Sequence, residues 1–98
     1  MLLRIHKVVG DSMSPTVQHH DYVISVYWWR MRYQINDIVI IKHTTYGTII
    51  KRITEQKPTG EILLIGDNSA ASTSSLQLGW QEPSKIIGKL VWTIPRRI

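Results

Sequence analysis

Two residue types in this chain stand where acyl-transfer chemistry would need them. Ser12 lies in Gly10-Asp11-Ser12-Met13-Ser14-Pro15-Thr16, a segment that follows an apolar run and leads into a turn. A serine hydroxyl is a weak nucleophile until a base within hydrogen-bond reach takes its proton. The usual base is histidine, and the chain has four, His6, His19, His20 and His43. None stands in a triad pattern with a glycine-bracketed serine, so they are read as surface or turn residues. As metal ligands they fare no better, because neighbours such as His19 and His20 would point to opposite sides of a strand. No metal site is expected.

Lysine can take the place of histidine when an apolar setting disfavours its charged form and lowers its pKa. Lys51 has such a setting in sequence, with Ile49, Ile50 and Ile53 around it. Periodicity alone would read it as a strand lysine facing water, and both readings stand at this point. The chain has no cysteine, which removes thiolate nucleophiles, thiolate metal sites and disulfides together.

The elements that must position Ser12 and Lys51 read as strands, since apolar residues alternate or fall in short β-branched runs and almost never recur at helical spacing. The expected strands are Leu2 to Val9, Tyr22 to Trp29, Ile38 to Lys42, Thr48 to Thr54, Ile62 to Ile65 and Ile86 to Ile94. His20-Asp21 and Asn36-Asp37 open two of them as turns. His43 to Gly47 is short enough for a hairpin loop that would place Lys51 midway along the returning strand. Lys57-Pro58-Thr59-Gly60 marks a second hairpin, in which proline presets one turn angle and glycine supplies the other. The small polar stretch from Gly66 to Ser75 is a long loop, and no internal repeat is evident.

With 98 residues and 43% hydrophobic content, the chain is expected to form one compact all-β domain over residues 1–98. It lacks any apolar stretch long enough for a membrane span, and no signal peptide is legible, so a cytoplasmic protein is the expectation. The net charge of +5 is scattered and reads as a solvated basic surface. In Tyr27-Trp28-Trp29-Arg30-Met31-Arg32-Tyr33, alternate rings are expected to pack inward while the arginines stay solvated. Trp28 and Trp29 also suit contact with a membrane surface, and a homodimer patch is a further reading. Nucleic acid is the weaker partner.

Ser12-Met13-Ser14-Pro15 resembles the nucleophile motif of the Ser/Lys peptidases, the clan that joins type I signal peptidases to the self-cleaving repressors of the bacterial SOS response. Lys51-Arg52 resembles the clan's general-base strand. His20-Asp21-Tyr22-Val23 and Asn36-Asp37-Ile38-Val39 resemble its two Gly-Asp-x-Val turns, with His20 and Asn36 in place of glycine. Gly66-Asp67-Asn68 is similar to the signal-peptidase Gly-Asp-Asn box, and Ile86-Ile87-Gly88-Lys89 to its closing strand. The likeness runs from about Val8 to Trp92 and is carried by the order of the matches.

That resemblance implies coiled, mostly antiparallel sheets and a serine endopeptidase closest to the small soluble maturation proteases, with Ser12 as nucleophile and Lys51 as general base. The backbone N–H of Ser12 would stabilise the oxyanion. Gly10, lacking a side chain, leaves out the hydroxyl some signal peptidases use there, and Ser72 would orient the amine of Lys51. Substrate would be a protein or peptide held as an extended strand, with Met13 and Ile50 lining the pocket beside the cut bond, and no cofactor is implied. The family's Asp-Ser-Arg is replaced by Ser74-Ser75-Leu76, which removes its usual ion-pair support. The rival reading is a non-catalytic β-domain binding nucleic acid or a membrane through its basic, aromatic face.

Overall fold

In the computed structural model, which describes residues 1–68, 70 and 78–95, the chain is all-β. Six strands form one sheet: β1 (Leu2–Lys7), β2 (Tyr22–Tyr27), β3 (Ile38–His43), β4 (Gly47–Gln56), β5 (Ile62–Ile65) and β6 (Ile86–Ile94). Their order is β1-β2-β6-β3-β4-β5, and every pairing between them is antiparallel. The clan resemblance implied several sheets, but here the last strand inserts between β2 and β3 and joins both halves into one.

The expected strands reappear with shifted ends. β5 and β6 match their predicted limits. β2 stops at Tyr27 because its partner β1 begins at Leu2, directly opposite. β4 runs on to Gln56, where a bulge after Ile53 keeps it paired with β5.

Two core clusters divide the interior. One gathers Val39, Ile41, Ile53, Ile62, Leu64 and Ile86 with Leu78. The other gathers Val23 and Ile40 with Val8, Met13 and Val17, residues of the long β1–β2 connection. Met13 and Val17 therefore tether the segment that carries Ser12, leaving the serine itself half-buried.

The turns that open β2 and β3 are built alike, as the two resembling motifs lead one to expect. In Gln18 to Asp21 the Asp21 N–H donates to the Gln18 carbonyl at 3.0 Å, and the Asp21 carboxylate accepts the Gln18 N–H at 2.9 Å. In Gln34 to Asp37 the corresponding distances are 3.1 and 2.9 Å. The third residues, His20 and Asn36, have φ of 73° and 80°. A turn with this bond and positive φ at its third residue is of type II, which explains why the resembling motif carries glycine there.

Gly88 is required by close approach. A Cβ at this position would lie 2.6 Å from Ser25 Oγ and 2.8 Å from Ser25 Cβ. Ser25 is buried, and its hydroxyl sits 3.1 Å from His6 Nε2, so it cannot swing away freely. Gly88→Ala is expected to destabilise the protein by about 1 to 3 kcal/mol through overpacking. Adding Ser25→Gly should recover part of that loss in urea unfolding, whereas a Gly88→Ala protein as stable as its parent would show that β2 and β6 separate easily.

Candidate active site

A cavity of about 460 Å³ lies between the β1–β2 connection and the first half of β4. Gly10, Ser12 and Met13 line it from the connection, and Thr48, Ile50 and Lys51 from β4. Gly10, Ser12, Met13, Ile50 and Lys51, separated by up to about forty residues in sequence, thus border one space. Ser72 falls outside the described residues, as do Ser74, Ser75 and Leu76.

Lys51 is 4% exposed, deep in the strand that the isoleucines on either side of it build. Burial pulls its pKa below the ordinary lysine value of 10.5, because the ammonium form loses hydration that the amine needs less. The water-facing reading of this lysine is therefore corrected. Its cross-strand partner is Val39, a fully buried core residue, so the strand face that alternation gives Lys51 is an interior one.

The segment bearing Ser12 is fixed at several points by backbone groups. Gly10 takes φ of 94°, and its N–H donates to Nδ1 of His19 at 2.8 Å. On the far side of the serine, the Ser12 carbonyl accepts the Asn68 N–H at 2.8 Å, and the Asp11 carbonyl accepts the Asn68 side-chain amide at 3.1 Å. His19 and His20 occupy the turn before β2, as their reading as surface or turn residues expects, but their rings do not diverge: the centroids lie 3.7 Å apart, and His19 holds the residue two before Ser12.

The ion-pair support that Ser74-Ser75-Leu76 put in doubt comes, among the described residues, from Arg52 and Asp67. The guanidinium reaches Asp67 through Nε and Nη2, both at 2.8 Å, and the Asn36 carbonyl through Nη1 at 2.8 Å. Thr16 donates its hydroxyl to the same carboxylate at 2.6 Å. The guanidinium is thereby the main reason the Asp67 carboxyl titrates below its ordinary 3.8, with the Thr16 hydroxyl adding to the effect. The Arg52–Asp67 pair thus joins β4, the turn before β3 and the loop after Ser12. The signal that could have found this was available: successive strand residues project to opposite faces, so a buried Lys51 puts Arg52 on the other side, facing the Gly-Asp-Asn segment.

His43 is a structural imidazole. Its Nδ1 accepts the N–H groups of Thr45 and Tyr46 at 3.0 and 3.2 Å, which makes Nε2 the donor to the Leu78 carbonyl at 2.9 Å. It shapes the β3–β4 turn and fastens Leu78 to the cavity wall. Around residues 27–33, Tyr33 packs on a core cluster and Tyr27 is half-buried, but the expected alternation of rings breaks at Trp29, which shares their phase and is 71% exposed. Trp28 and Trp29 stay exposed, and the Arg30 guanidinium lies 4.4 Å from the centroid of the Trp29 ring. Among the described residues there is no metal-binding group of three or more His, Cys, Asp or Glu side chains, and no helix long and apolar enough to cross a membrane.

A continuous antiparallel sheet whose opening loop and fourth strand bring a serine and a buried lysine to one cavity defines a class of peptidase-like β-domain. The Peptidase S24-like family model matches residues 3–91, and the chain belongs to that family. No curated protein matches the chain.

Proposed function

We propose that this protein is a serine endopeptidase that cleaves a protein substrate in trans, in the manner of leader or propeptide processing. The observation that carries this reading is the shared cavity, lined both by Ser12 and by a lysine made less basic by burial. Uncharged Lys51 accepts the Ser12 hydroxyl proton as Oγ attacks the scissile carbonyl, forming a tetrahedral oxyanion. The Ser12 N–H stabilises that oxyanion, while the Gly10 N–H is committed to His19. Collapse breaks the C–N bond, and the leaving amine takes the proton held by Lys51. Water then attacks the acyl-enzyme with Lys51 again as base, which releases the acid and restores the serine.

Sheet geometry supports the substrate's conformation. β5 pairs with β4 from Arg52 onward, beyond the cavity, whereas Thr48 and Ile50 line it. An extended peptide laid along this part of β4 would add a strand by main-chain hydrogen bonds, with Met13 and Ile50 beside its side chains.

A serine-reactive acylating probe tests the reading directly. Mass spectrometry should find one adduct, on the Ser12 peptide, and Ser12→Ala should abolish it. An unlabelled wild-type protein that binds single-stranded DNA in a salt-sensitive way would support the non-catalytic module instead.

A further inference from the structure

The half of the sheet away from the cavity's lysine leaves one face uncovered. Cross-strand partners share a face, and the register aligns Leu3 with Val26, Ile5 with Ile24 and Trp92, and Tyr22 with Ile94. On this face Leu3 is 60% exposed, Ile5 62%, Tyr22 43%, Trp92 65% and Ile94 43%. The opposite face of the same strands carries Val23 and Ser25, buried in part under the β1–β2 connection. The patch thus spans β1, β2 and β6 and reaches the sheet's edge, since β1 pairs only with β2. An apolar face continuous with an open edge strand is a surface that soluble proteins normally cover or blunt.

Charge selects the occupant. β1, β2 and β6 contain no Asp or Glu; on β1, Lys7, the partner of Tyr22, lies on this face and Arg4, the partner of Ser25, on the other, and Arg30 and Arg32 follow β2. The one other cation on these strands, Lys89, is paired with Asp37 at 3.3 Å. A second copy docked on this face would bring cations against cations with no carboxylate of these strands to offset them. An anionic lipid surface offers both things the patch lacks, apolar depth for the side chains and negative charge for the rim.

We infer that the outer face of β1, β2 and β6 docks on an anionic phospholipid bilayer, with Leu3, Ile5, Trp92 and Ile94 entering the interface and Lys7, Arg30 and Arg32 meeting the headgroups. Lys7 belongs both to this rim and to the cavity that holds Ser12, so docking would bring the cavity's mouth close to the membrane plane. This goes beyond the peptidase reading and does not depend on it.

The test is flotation of the whole chain with vesicles of phosphatidylcholine alone or mixed equally with phosphatidylglycerol, for wild type and the Ile5→Ser/Trp92→Ser double variant. Both replaced side chains are mostly exposed, so circular dichroism should show the fold unchanged. Wild type is expected to float with the anionic vesicles, to release as salt rises and to bind phosphatidylcholine weakly. The double variant should bind at least about tenfold more weakly. Absence of binding to anionic vesicles overturns the inference, as does a double variant that binds like wild type. A concentration-dependent dimer abolished by the same substitutions would also overturn it, by assigning the face to a second copy. None of these readouts involves catalysis.

Discussion

Lys51→Met is expected to lower peptide hydrolysis by about 10²- to 10⁴-fold, the range a positioned general base supplies, with the fold retained. Methionine keeps the length of the apolar stem but has no nitrogen to take the Ser12 proton. Because the native amine is 4% exposed, its replacement also removes a group whose charged form is costly to bury, so Tm should be equal to or above that of the parent. The pH dependence separates this role from a structural one. Only the uncharged amine is a base, so the wild-type rate should rise with pH through a pKa that burial has set below 10.5. That limb should vanish in the variant. Linkage gives a second signature: between the lowered native value and 10.5 the unfolded chain binds more protons at this site than the folded one. Lys51 thus makes stability increase with pH across that window, a slope the Met variant should lack. Substantial hydrolysis by Lys51→Met would remove this residue from the mechanism.

Asp67→Ala is expected to cost about 2 to 3 kcal/mol in stability and to impair activity, although Asp67 does not line the cavity. The substitution strands a bidentate guanidinium and the Thr16 hydroxyl, and hydrogen bonds to charged groups are each worth about 1.5 to 3 kcal/mol before partial exposure is discounted. For a chain of this size the corresponding fall in Tm is roughly 10 °C or more. Activity should suffer because the next residue, Asn68, grips the carbonyls of Asp11 and Ser12. Arg52→Lys should be intermediate, since an ammonium cannot make the two parallel bonds. The native carboxyl titrates below 3.8, so its contribution is present above that pH and fades as pH falls through the lowered value. Asp67→Ala should therefore blunt acid unfolding as well as lowering Tm. A variant within about 0.5 kcal/mol of wild type, with unchanged kinetics, would show that the ion pair is ornamental.

Much of the sheet could be read from the chain because its strands are short β-branched runs set off by residues with strong turn preferences. Lys57-Pro58-Thr59-Gly60 makes its turn with Gly60 at φ of 99°, and Asn36 takes the positive φ that a left-handed turn needs. Alternation told less about facing. Leu3 and Ile5 alternate with polar residues as an inward-facing strand would, yet they are exposed, because nothing in a local pattern states whether a layer covers that face. Ser12 and Lys51 were legible as candidates, but the burial of Lys51 was not, since it depends on Val39 across the sheet and on the folded-over connection. The contacts of His19 and Asn68 were also hidden, for they join residues 9 and 56 positions apart. Spacing of that kind carries no periodic signal.

The adjacency of Lys51 and Arg52 on one long strand has a further consequence for how the chain finds its alignment. Slippage of β4 by a single residue against β3 would exchange their positions, driving into the apolar slot a guanidinium that has no accessible uncharged form. The amine in its place would face a carboxylate built for a fork. Both errors are penalised electrostatically, and in water-poor surroundings such a misplacement costs several kcal/mol. The neighbouring cations thus act as a ratchet on strand registration, making mispaired hairpins short-lived before any substrate is met.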